Sequence, residues 1–416
     1  MFRKLRSLDE AKRILKQNFT PKPVGVEQVS LSVAHNRVLA ENVVASMDVP
    51  SFTRSTVDGY AVKAADTFGA EEDQPIALKL CGIVRIGETP KVTVEKGTTV
   101  EIVTGAPLPN GADAVVMLEY VVQKNNTVFM HRSVSKGENV MKAGSDIHKD
   151  EVILKKSQTL SSREIGVLAA LGFAQVNVYK RPRTAIISTG AEIVSPGKPL
   201  SPGKIYDINA HTISAAVTEC GGEPVSLEIV LDETNQLTAT LKKALNSADI
   251  IITSGGVSVG PTDIIPKVLN TLGKPGVIVS GIAVKPGKPT TIAIVNEKPV
   301  FSLPGHPTSS LLIFHLFVRP VIRGMTGKSE ETPLMVKAVA SAKMFPARGR
   351  RTFVMVSLTS DKSGGLVASP VASGLSGAIT TLAKADGFVE IMERQQFINA
   401  GDAVTVHLFK PLRYVS

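Results

Sequence analysis

After residue 182, short apolar runs alternate with segments whose apolar residues recur at helical spacing. The apolar runs predict buried strands at residues 184–188, 224–230, 249–253 and 290–295. The helical spacing predicts helices at residues 209–220, 233–245, 263–272 and 309–322. Strands that are continuously apolar and alternate with helices are typical of a mainly parallel sheet covered on both faces. The pattern therefore predicts a central α/β domain.

The sequence on either side of this region has a β-rich pattern. In the stretch 46–145, three runs with strand character predict a β domain: residues 92–95, 100–104 and 114–118. Alternation of apolar and polar residues returns in the stretch 328–416, most clearly at 403–408. This last stretch therefore predicts a small β-barrel.

Two helical segments interrupt the β-rich parts. An amphipathic helix is predicted at residues 8–16, followed by a short strand at 29–33. Ser161 and Glu164 have the spacing of a capping box, and Gly172 is placed to end the helix that they begin.

The composition limits the class of protein. The 416 residues suggest about three domains, and the 43% hydrophobic content is enough for several cores. There is no apolar run long enough for a transmembrane helix, and the N-terminus lacks the apolar segment of a signal peptide. Cys81 and Cys220 lie far apart without metal-type spacing, which favours a reduced, cytoplasmic protein.

The formal net charge of +10 indicates either a basic surface without a specific partner or an anionic ligand. The basic residues are dispersed, tryptophan is absent and aromatic residues make up only 5% of the chain. Single-stranded nucleic acid is bound by stacking rings among clustered basic residues. We therefore expect no nucleic-acid partner, and a strongly anionic small molecule remains as the alternative to an unspecific basic surface.

The loop after the predicted strand 249–253 has the composition of an anion-binding loop. It supplies two hydroxyls and three glycines: Ser254, Gly255, Gly256, Ser258 and Gly260. Glycines let backbone N–H groups approach an anion, and the positive end of the following helix also favours one. Asp263 at the rim fits beside an anion only if a cation lies between them. The loop is interpreted as a phosphate-binding loop with a metal-positioning acid, and the alternative is an ordinary turn.

Further polar residues lie in neighbouring loops. Glu192 and Asp232 follow predicted strands, and the carboxyl ends of such strands are where α/β sheets bind ligands. Lys285 and Lys288 flank a Pro-Gly turn that could direct both charges at one anion, or be a surface turn. A second Pro-Gly turn precedes the last predicted helix and contains Pro304, Gly305 and His306.

The predicted β domain has two candidates of its own. Asp58 precedes a glycine in a polar, turn-forming stretch, and Thr104 lies at the end of a predicted strand. An isolated Asp-Gly pair is usually only a turn, so these residues gain weight only from their context.

Taken together, the motifs resemble those of the molybdopterin molybdenumtransferase family, which is similar to the E domain of gephyrin. The motifs are at residues 55–61, 103–109, 188–192, 253–263, 284–289, 303–307, 349–353 and 374–377. They occur in the family's order and at its approximate spacing. Each motif alone is weak evidence, whereas the ordered set covers nearly the whole chain.

The resemblance implies a multidomain architecture. In that architecture the chain divides into an elongated dimerisation segment (1–45 and 146–180), a β domain (46–145), an α/β molybdopterin-binding domain (181–327) and a C-terminal β-barrel (328–416). The resemblance also implies a homodimer, with the site between the α/β domain of one subunit and the β domain of the other. No membrane partner is expected.

The implied reaction converts adenylylated molybdopterin and molybdate into molybdenum cofactor and AMP, with Mg²⁺ as cofactor. Five residues match the family's catalytic positions: Asp58, Thr104, Glu192, Asp232 and Asp263. The resemblance implies that Glu192 and Asp263 hold or orient Mg²⁺ and that Asp58 and Thr104 come from the partner subunit. The glycine-rich loop, Lys285, Lys288 and the turn with Pro304, Gly305 and His306 are expected to bind substrate.

Two positions depart from the family pattern, and two other functions remain open. Gly281 stands where many members carry lysine, and His306 stands where asparagine is usual. Both suit a subclass that handles another oxyanion, such as tungstate, or has lower activity. The central domain also resembles molybdopterin adenylyltransferase, but that enzyme consists of this domain alone. A non-catalytic scaffold is the third reading, and the retained acids and lysines argue against it.

Overall fold

The computed structural model describes residues 5–256, 264–328, 333–362, 364–371 and 378–411. Three predicted site residues lie outside these ranges: Ser258, Gly260 and Asp263. The chain forms two compact units. The larger unit comprises Met1–Gln28, Asn36–Ala40 and Asn177–Ser416, and the smaller unit comprises Val29–His35 and Glu41–Val176. The four-domain division remains a prediction.

The larger unit contains helix α1 (Leu8–Asn18), which confirms the helix predicted near the N-terminus. The Ser7 hydroxyl accepts a hydrogen bond from the Glu10 N–H at 3.2 Å. This bond satisfies one of the donors that have no partner within the first turn of a helix. The buried face of α1 packs into the core of the central sheet through Leu8, Ala11 and Leu15.

The smaller unit is built mainly from short strands. The chain enters it through β1 (Val26–Ser30) and a 3-10 turn at Leu31–Val33, so the strand predicted at 29–33 is wrong over most of its length. Ten strands follow: β2 (Val43–Val44), β3 (Arg54–Ser55), β4 (Gly59–Val62), β5 (Ile76–Val84), β6 (Thr98–Ile102), β7 (Ala114–Met117), β8 (Val121–Lys124), β9 (Thr127–Met130), β10 (Val140–Met141) and β11 (Val152–Leu154).

Six of these strands form one sheet in the order β7-β4-β6-β5-β9-β8. Apolar side chains cover both of its faces, because neighbouring residues such as Tyr60 and Ala61 belong to different buried clusters. The strand predicted at 92–95 is wrong, and only an isolated bridge from Thr93 forms there. The Thr98 hydroxyl donates to the Glu95 carbonyl at 2.9 Å, and this turn ends the segment before it can pair with a neighbour.

Helix α2 (Ser162–Ala170) returns the chain to the larger unit through β12 (Gln175–Tyr179). The capping box predicted for Ser161 and Glu164 is present, since each residue's side chain accepts a backbone hydrogen bond from the other end of the box.

The central region of the larger unit alternates strands and helices. Its elements are β13 (Arg183–Thr189), β14 (Ile193–Val194), β15 (Ile205–Tyr206), α3 (Asn209–Glu219), β16 (Glu223–Val230), α4 (Thr234–Ser247), β17 (Ile250–Ser254), α5 (Ile264–Leu272), β18 (Pro275–Ser280), β19 (Val284–Lys285), β20 (Thr291–Val295), β21 (Lys298–Leu303), α6 (Pro307–Ile313) and α7 (Arg319–Met325). A π-helical turn, Phe314–Val318, joins α6 to α7. The helix predicted at 309–322 is therefore a continuous helical run with a local change of pitch.

The central sheet is mixed, with three parallel and two antiparallel pairings, so the mainly parallel sheet that was predicted is found in part. The strand order is β16-β13-β17-β21-β20-β18, and the first four strands pair in parallel. β20 pairs antiparallel with both β21 and β18, which corrects the prediction for the strand at 290–295. The reason is a two-residue hairpin at Asn296 and Glu297, both of which have positive φ angles (50° and 65°). Such turns match the twist of antiparallel strands.

Helices cover the sheet on both faces. On one face, Ile213 of α3 and Leu312 of α6 join the cluster that contains Ile186 and Phe301. On the other face, Leu241 of α4 and Val268 of α5 pack against the remaining strand residues. None of the helices within the described ranges combines the length and the apolar character that crossing a membrane requires.

The C-terminal part of the larger unit is a closed five-stranded barrel. Its elements are β22 (Met335–Ala340), β23 (Arg351–Ser360), β24 (Leu366–Pro370), α8 (Thr380–Lys384), β25 (Gly387–Ile391) and β26 (Ala403–Leu408). The strands pair in the order β23-β24-β22-β26-β25, and β25 pairs back with β23 to close the barrel. β19 of the central region adds to β23 in parallel. The barrel predicted for this stretch is confirmed.

A cluster of ion pairs joins the barrel to α1. The Arg351 guanidinium, whose residue is only 8% exposed, donates to Asp9 Oδ2 at 2.7 Å and to Glu393 Oε1 at 3.0 Å. Glu390 Oε1 lies 3.3 Å from the same guanidinium. The hydrogen bond from Arg351 lowers the pKa of the Asp9 carboxyl below its ordinary value. We call these four residues the Arg351 cluster.

Candidate active site

The carboxyl ends of three neighbouring strands meet at one edge of the central sheet. Ser188 of β13 lies opposite Ser254 of β17, and Ser254 lies opposite Leu303 of β21. The loop after β16 joins the same edge, because the Gly190 N–H donates to the Val230 carbonyl at 3.2 Å. The loops that follow these four strands are therefore next to one another, which is where open α/β sheets bind ligands.

The start of the glycine-rich loop lies against Thr189 and Asp232. Gly256 has a φ angle of +60°, and a Cβ added there would lie 2.4 Å from Thr189 Oγ1 and 2.7 Å from Asp232 Oδ1. A Cβ at Gly255 would lie 2.2 Å from the Thr189 carbonyl oxygen. Real Cβ atoms do not approach other atoms this closely, so only glycine fits at both positions. The backbone of the loop can therefore come close to a ligand, with a carboxylate beside it.

Asn209 ties this loop to the Pro-Gly turn before α6. Its Nδ2 donates to Ser254 Oγ and to the Gly305 carbonyl, both at 2.7 Å. The turn approaches the glycine-rich loop closely, since a Cβ at Gly305 would lie 3.6 Å from the Gly255 Cα. The sequence predicts Asn209 at the start of a helix but not in the site. One signal in the sequence could have identified it, namely an amide side chain at the first position of the helix that follows β14 and β15.

The acids of the larger unit are placed differently. Asp232 Oδ1 lies beside the glycine-rich loop. The Glu192 carboxylate is directed back over its own turn, where a Cβ at Gly190 would lie 2.8 Å from both of its oxygens. Asp263 lies outside the described residues. Across the described part of the chain, no group of three or more His, Cys, Asp or Glu side chains converges in a way that could hold a metal ion.

The lysine turn packs against helix α6. Lys285 is exposed and Lys288 is half-buried. The turn between them is held by the Ile282 N–H, which donates to the Lys288 carbonyl at 3.0 Å. A Cβ at Gly287 would lie 2.5 Å from Ile313 Cδ1, so the turn contacts the helix that begins just after Gly305. The turn that carries both lysines thus packs against the end of α6, the helix that follows the Gly305 turn.

The two departures from the family pattern have structural settings. Gly281 has a φ angle of +81°, and a Cβ there would lie 2.8 Å from Leu5 Cδ2. A side chain at this position would be strained whatever its charge. His306 precedes α6, and its exposed side chain makes no capping hydrogen bond, while its carbonyl accepts from the Ser310 N–H at 2.9 Å. The buried Pro304 and the exposed Gly305 complete the turn.

In the smaller unit, Asp58 and Thr104 form a hydrogen-bonded pair. Asp58 Oδ1 accepts from the Thr104 N–H at 2.7 Å and from the Thr104 hydroxyl at 2.9 Å. These bonds, the backbone one first, lower the pKa of the Asp58 carboxyl below its ordinary value. Gly59 cannot be replaced without moving the neighbouring strand, because a Cβ there would lie 2.0 Å from the Val116 carbonyl oxygen. Asp58 is therefore an exposed carboxylate in a fixed position.

Comparison with known proteins places this arrangement in a family. Three family descriptions match successive parts of the chain: "MoeA N-terminal region (domain I and II)" at residues 6–172, "Probable molybdopterin binding domain" at 185–324 and "MoeA C-terminal region (domain IV)" at 337–409. The molybdopterin molybdenumtransferase of Bacillus subtilis is 35% identical over 92% of this chain and 90% of its own length. The chain belongs to the molybdopterin molybdenumtransferase family.

Other members agree across the whole length. The molybdopterin molybdenumtransferase of a Nostoc species is 36% identical over 91% of this chain and 88% of its own length. A crystal structure of a molybdopterin biosynthesis MoeA protein from Pyrococcus horikoshii superposes with a TM-score of 0.85 at 40% identity, covering 98% of this chain and 100% of that one. Membership in the molybdenumtransferase family confirms the resemblance read from the motifs. It also rules against the single-domain adenylyltransferase and the non-catalytic scaffold as descriptions of this chain.

Proposed function

We propose that this chain inserts molybdenum from molybdate into adenylylated molybdopterin and releases AMP. The observation that carries the proposal is the convergence at the carboxyl edge of the central sheet. There, a backbone that only glycine permits at Gly255 and Gly256 lies beside the Asp232 carboxylate and below the Pro304–Gly305 turn. Family membership supplies the reaction, and the edge supplies a place where its anionic reactants can bind.

The residues at this edge suit anionic reactants. Adenylylated molybdopterin carries phosphates, and molybdate is an oxyanion. The glycine-rich loop brings backbone groups close to such a ligand, and Lys285 and Lys288 add positive charge from the turn packed on α6. The roles of these residues are to bind the phosphates and orient them, so that the bond to the AMP leaving group is exposed to attack.

We further propose that Asp232, with Glu192 and Asp263, provides oxygen ligands for Mg²⁺. Carboxylate oxygens are the donors that Mg²⁺ prefers, and Mg²⁺ is commonly held by one or two carboxylates together with substrate phosphates. When bound, Mg²⁺ neutralises charge on the phosphate oxygens.

Asp58 and Thr104 are proposed to act on the site of a partner subunit in a homodimer. The pair belongs to the smaller unit, whereas all the loops described above belong to the larger one. Mixed dimers of Asp58→Ala and Asp232→Ala chains should regain part of the activity, because one complete site forms in each heterodimer. No recovery after confirmed subunit exchange, or a monomer by light scattering, would contradict a shared site.

The central test is turnover by the purified chain. Incubation with adenylylated molybdopterin, molybdate and Mg²⁺ should release AMP, and omission of molybdate or of Mg²⁺ should lower the release sharply. A parallel incubation with unmodified molybdopterin and ATP should produce no pyrophosphate. Replacing molybdate by tungstate, at matched concentrations, decides which oxyanion is preferred. Release of AMP that does not depend on any oxyanion would refute the proposed reaction.

A further inference from the structure

Asn209 is nearly enclosed by the central domain, with only 7% of the residue exposed. The hydrogen bond from its Nδ2 to the Gly305 carbonyl fixes the orientation of the amide, because a carbonyl oxygen can only accept. The second Nδ2 proton is used by Ser254 Oγ. One side chain therefore spans from the end of β17 to the turn between β21 and α6.

We propose that Asn209 is a positioning residue for the molybdopterin ligand, holding Ser254 and Gly305 at a fixed separation. The proposal rests on the proposed function. Ser254 begins the glycine-rich loop, and Gly305 forms the opposite wall, with its Cβ position 3.6 Å from the Gly255 Cα. Beyond the pairing of β17 with β21, the Gly255 N–H also joins the two loops, since it donates to the Leu303 carbonyl at a long 3.4 Å.

The amide is not needed to begin helix α3. Asp207 does that, because its Oδ1 accepts from the Ala210 N–H at 3.0 Å. The other end of the Asn209 side chain is unfavourable for the fold alone. Its Oδ1 is buried and has no hydrogen-bond partner in the described ranges. A buried polar atom without a partner destabilises the folded state, so packing does not account for an amide here.

A second polar group at the same edge is also buried without a hydrogen-bond partner in the described ranges. This group is Thr189 Oγ1, and it lies against Gly256 on the other side of the loop. Buried polar groups in native proteins are nearly always satisfied, and exceptions cluster where function requires them. Two such groups flank the start of the glycine-rich loop. The positioning role itself rests on the two hydrogen bonds that Asn209 Nδ2 donates, to Ser254 Oγ and to the Gly305 carbonyl.

The test compares Asn209→Ala with a matched control, Asn270→Ala. Asn270 Oδ1 accepts from the Val277 N–H at 2.8 Å, where α5 leads into β18. Both variants lose an amide and its hydrogen bonding, so both should melt at a lower temperature. Only Asn209→Ala should raise KM for adenylylated molybdopterin, by roughly five- to a hundredfold if each of the two lost bonds contributes as a typical hydrogen bond. Equal KM values for Asn209→Ala and wild type, measured well below melting, would overturn the proposal.

A double variant shows whether Asn209 acts through Ser254. The combined loss in Asn209→Ala/Ser254→Ala should be smaller than the product of the two single losses, since they break one shared contact. A combined loss equal to the product of the two single losses would contradict the positioning role. Should Asn209→Ala not fold, Asn209→Ser keeps a polar group at the start of α3 but is too short to reach both partners. It should raise KM in the same way, and an unchanged KM in this variant would also overturn the proposal.

Equilibrium binding separates this inference from the proposed function. Binding of molybdopterin alone, followed by pterin fluorescence, should weaken in Asn209→Ala and not in Asn270→Ala. If wild type turns over but both Asn209 variants bind normally, only the positioning role fails. If wild type binds molybdopterin but releases no AMP, the proposed reaction fails and the binding comparison still decides the role of Asn209. If wild type does not bind molybdopterin, both fail.

Discussion

The carboxyl edge of the central sheet and the Arg351 cluster both bury polar groups, but they satisfy them differently. In the Arg351 cluster, one guanidinium donates to carboxylates from α1 and from the barrel, at distances of 2.7 Å and 3.0 Å. At the sheet edge, Thr189 Oγ1 and Asn209 Oδ1 have no partner among the residues that the structure describes. The first set of polar groups is paired within the chain, whereas the second includes two atoms without a partner in the described ranges.

This difference separates a structural role from a binding role more clearly than charge or burial does. Arg351 is a buried cation in a motif of the family, and by composition it would be as good a candidate for an anion site as the lysine turn. Its donors, however, are directed at carboxylates of the same chain. Asp232 is exposed and lies beside the start of the glycine-rich loop, with no basic partner among the described residues. Substitutions in the two regions should therefore separate activity from stability.

The largest effect is expected from Asp232→Asn. The substitution keeps the shape but removes the charge, so AMP release should fall by about 100-fold or more, as when a group that stabilises developing charge is lost. Because Asp232 is exposed, the free energy of unfolding should change by less than about 0.5 kcal/mol. Steady-state kinetics and urea denaturation of the same preparation measure both quantities.

Asp249→Asn is the matched control for that experiment. Asp249 Oδ2 accepts from the Arg183 N–H at 2.8 Å, at the amino end of the strand whose other end begins the glycine-rich loop. Loss of this charge should leave turnover unchanged. Equal turnover in Asp232→Asn and Asp249→Asn would remove the carboxyl edge from the mechanism.

Arg351→Met should have the opposite profile. It leaves three carboxylates without their shared cation, and we expect a loss of about 2 kcal/mol in the free energy of unfolding, less than is usual for a broken buried pair because Asp9 is largely exposed. The kcat for AMP release, measured well below the melting temperature, should remain within about twofold of wild type. A large loss of kcat with normal stability would mean that the cluster belongs to the site.

The Gly281 departure gives a smaller effect and decides between two explanations. Gly281→Lys restores the usual residue, but its backbone has a φ angle of +81° and its Cβ would lie 2.8 Å from Leu5 Cδ2. We expect a loss of about 1–2 kcal/mol in unfolding free energy and no change in the molybdate concentration for half-maximal AMP release. Gly281→Ala has the same backbone cost without the charge. Tighter molybdate use by the lysine variant alone would show that a contact has been lost.

The smallest effect concerns the acid stability of the Arg351 cluster. Because Arg351 lowers the pKa of Asp9 in the folded state, protonation favours the unfolded chain. The stabilisation from Asp9 is therefore present above its unfolded pKa and is lost as the pH falls through the lower, folded value. Asp9→Asn should flatten this part of the stability–pH curve and leave the curve near neutrality almost parallel to wild type. Urea denaturation at several acidic pH values measures this change in stability. If the acidic part of the curve is the same in Asp9→Asn and wild type, the ion pair between Asp9 and Arg351 does not contribute to stability.

The sequence predicted the local elements of the central region well where each strand carried a continuous apolar run. β13, β16 and β17 and helices α3 and α4 were placed within two residues of their ends. It missed β18 and β21, and for β21 the reason is that the turn at Asn296 and Glu297 lacks the glycine that usually marks such a hairpin. The direction of β20 was therefore wrong, although its position was right.

The candidate site was predicted in parts that the sequence could not assemble. The glycine-rich loop and Asp232 were identified from motifs and chain position, and the structure brings them into contact. The role of Asn209 depends on two residues that follow it by 45 and 96 positions, and no local pattern encodes those contacts. The Arg351 cluster was missed for the same reason, since its bond to Asp9 joins residues 342 positions apart.

The parallel pairing of β19 with barrel strand β23 has a consequence for the evolution of this chain. Lys285 lies in a two-residue strand opposite Thr352, so the first residue of the lysine turn is held by the barrel and not by the central sheet alone. A shortened chain that ended before the barrel would keep the glycine-rich loop but lose the support of its cationic turn. The C-terminal domain is thus not an accessory that can be exchanged freely. We therefore expect that insertions which alter β23 also change the affinity for the ligand.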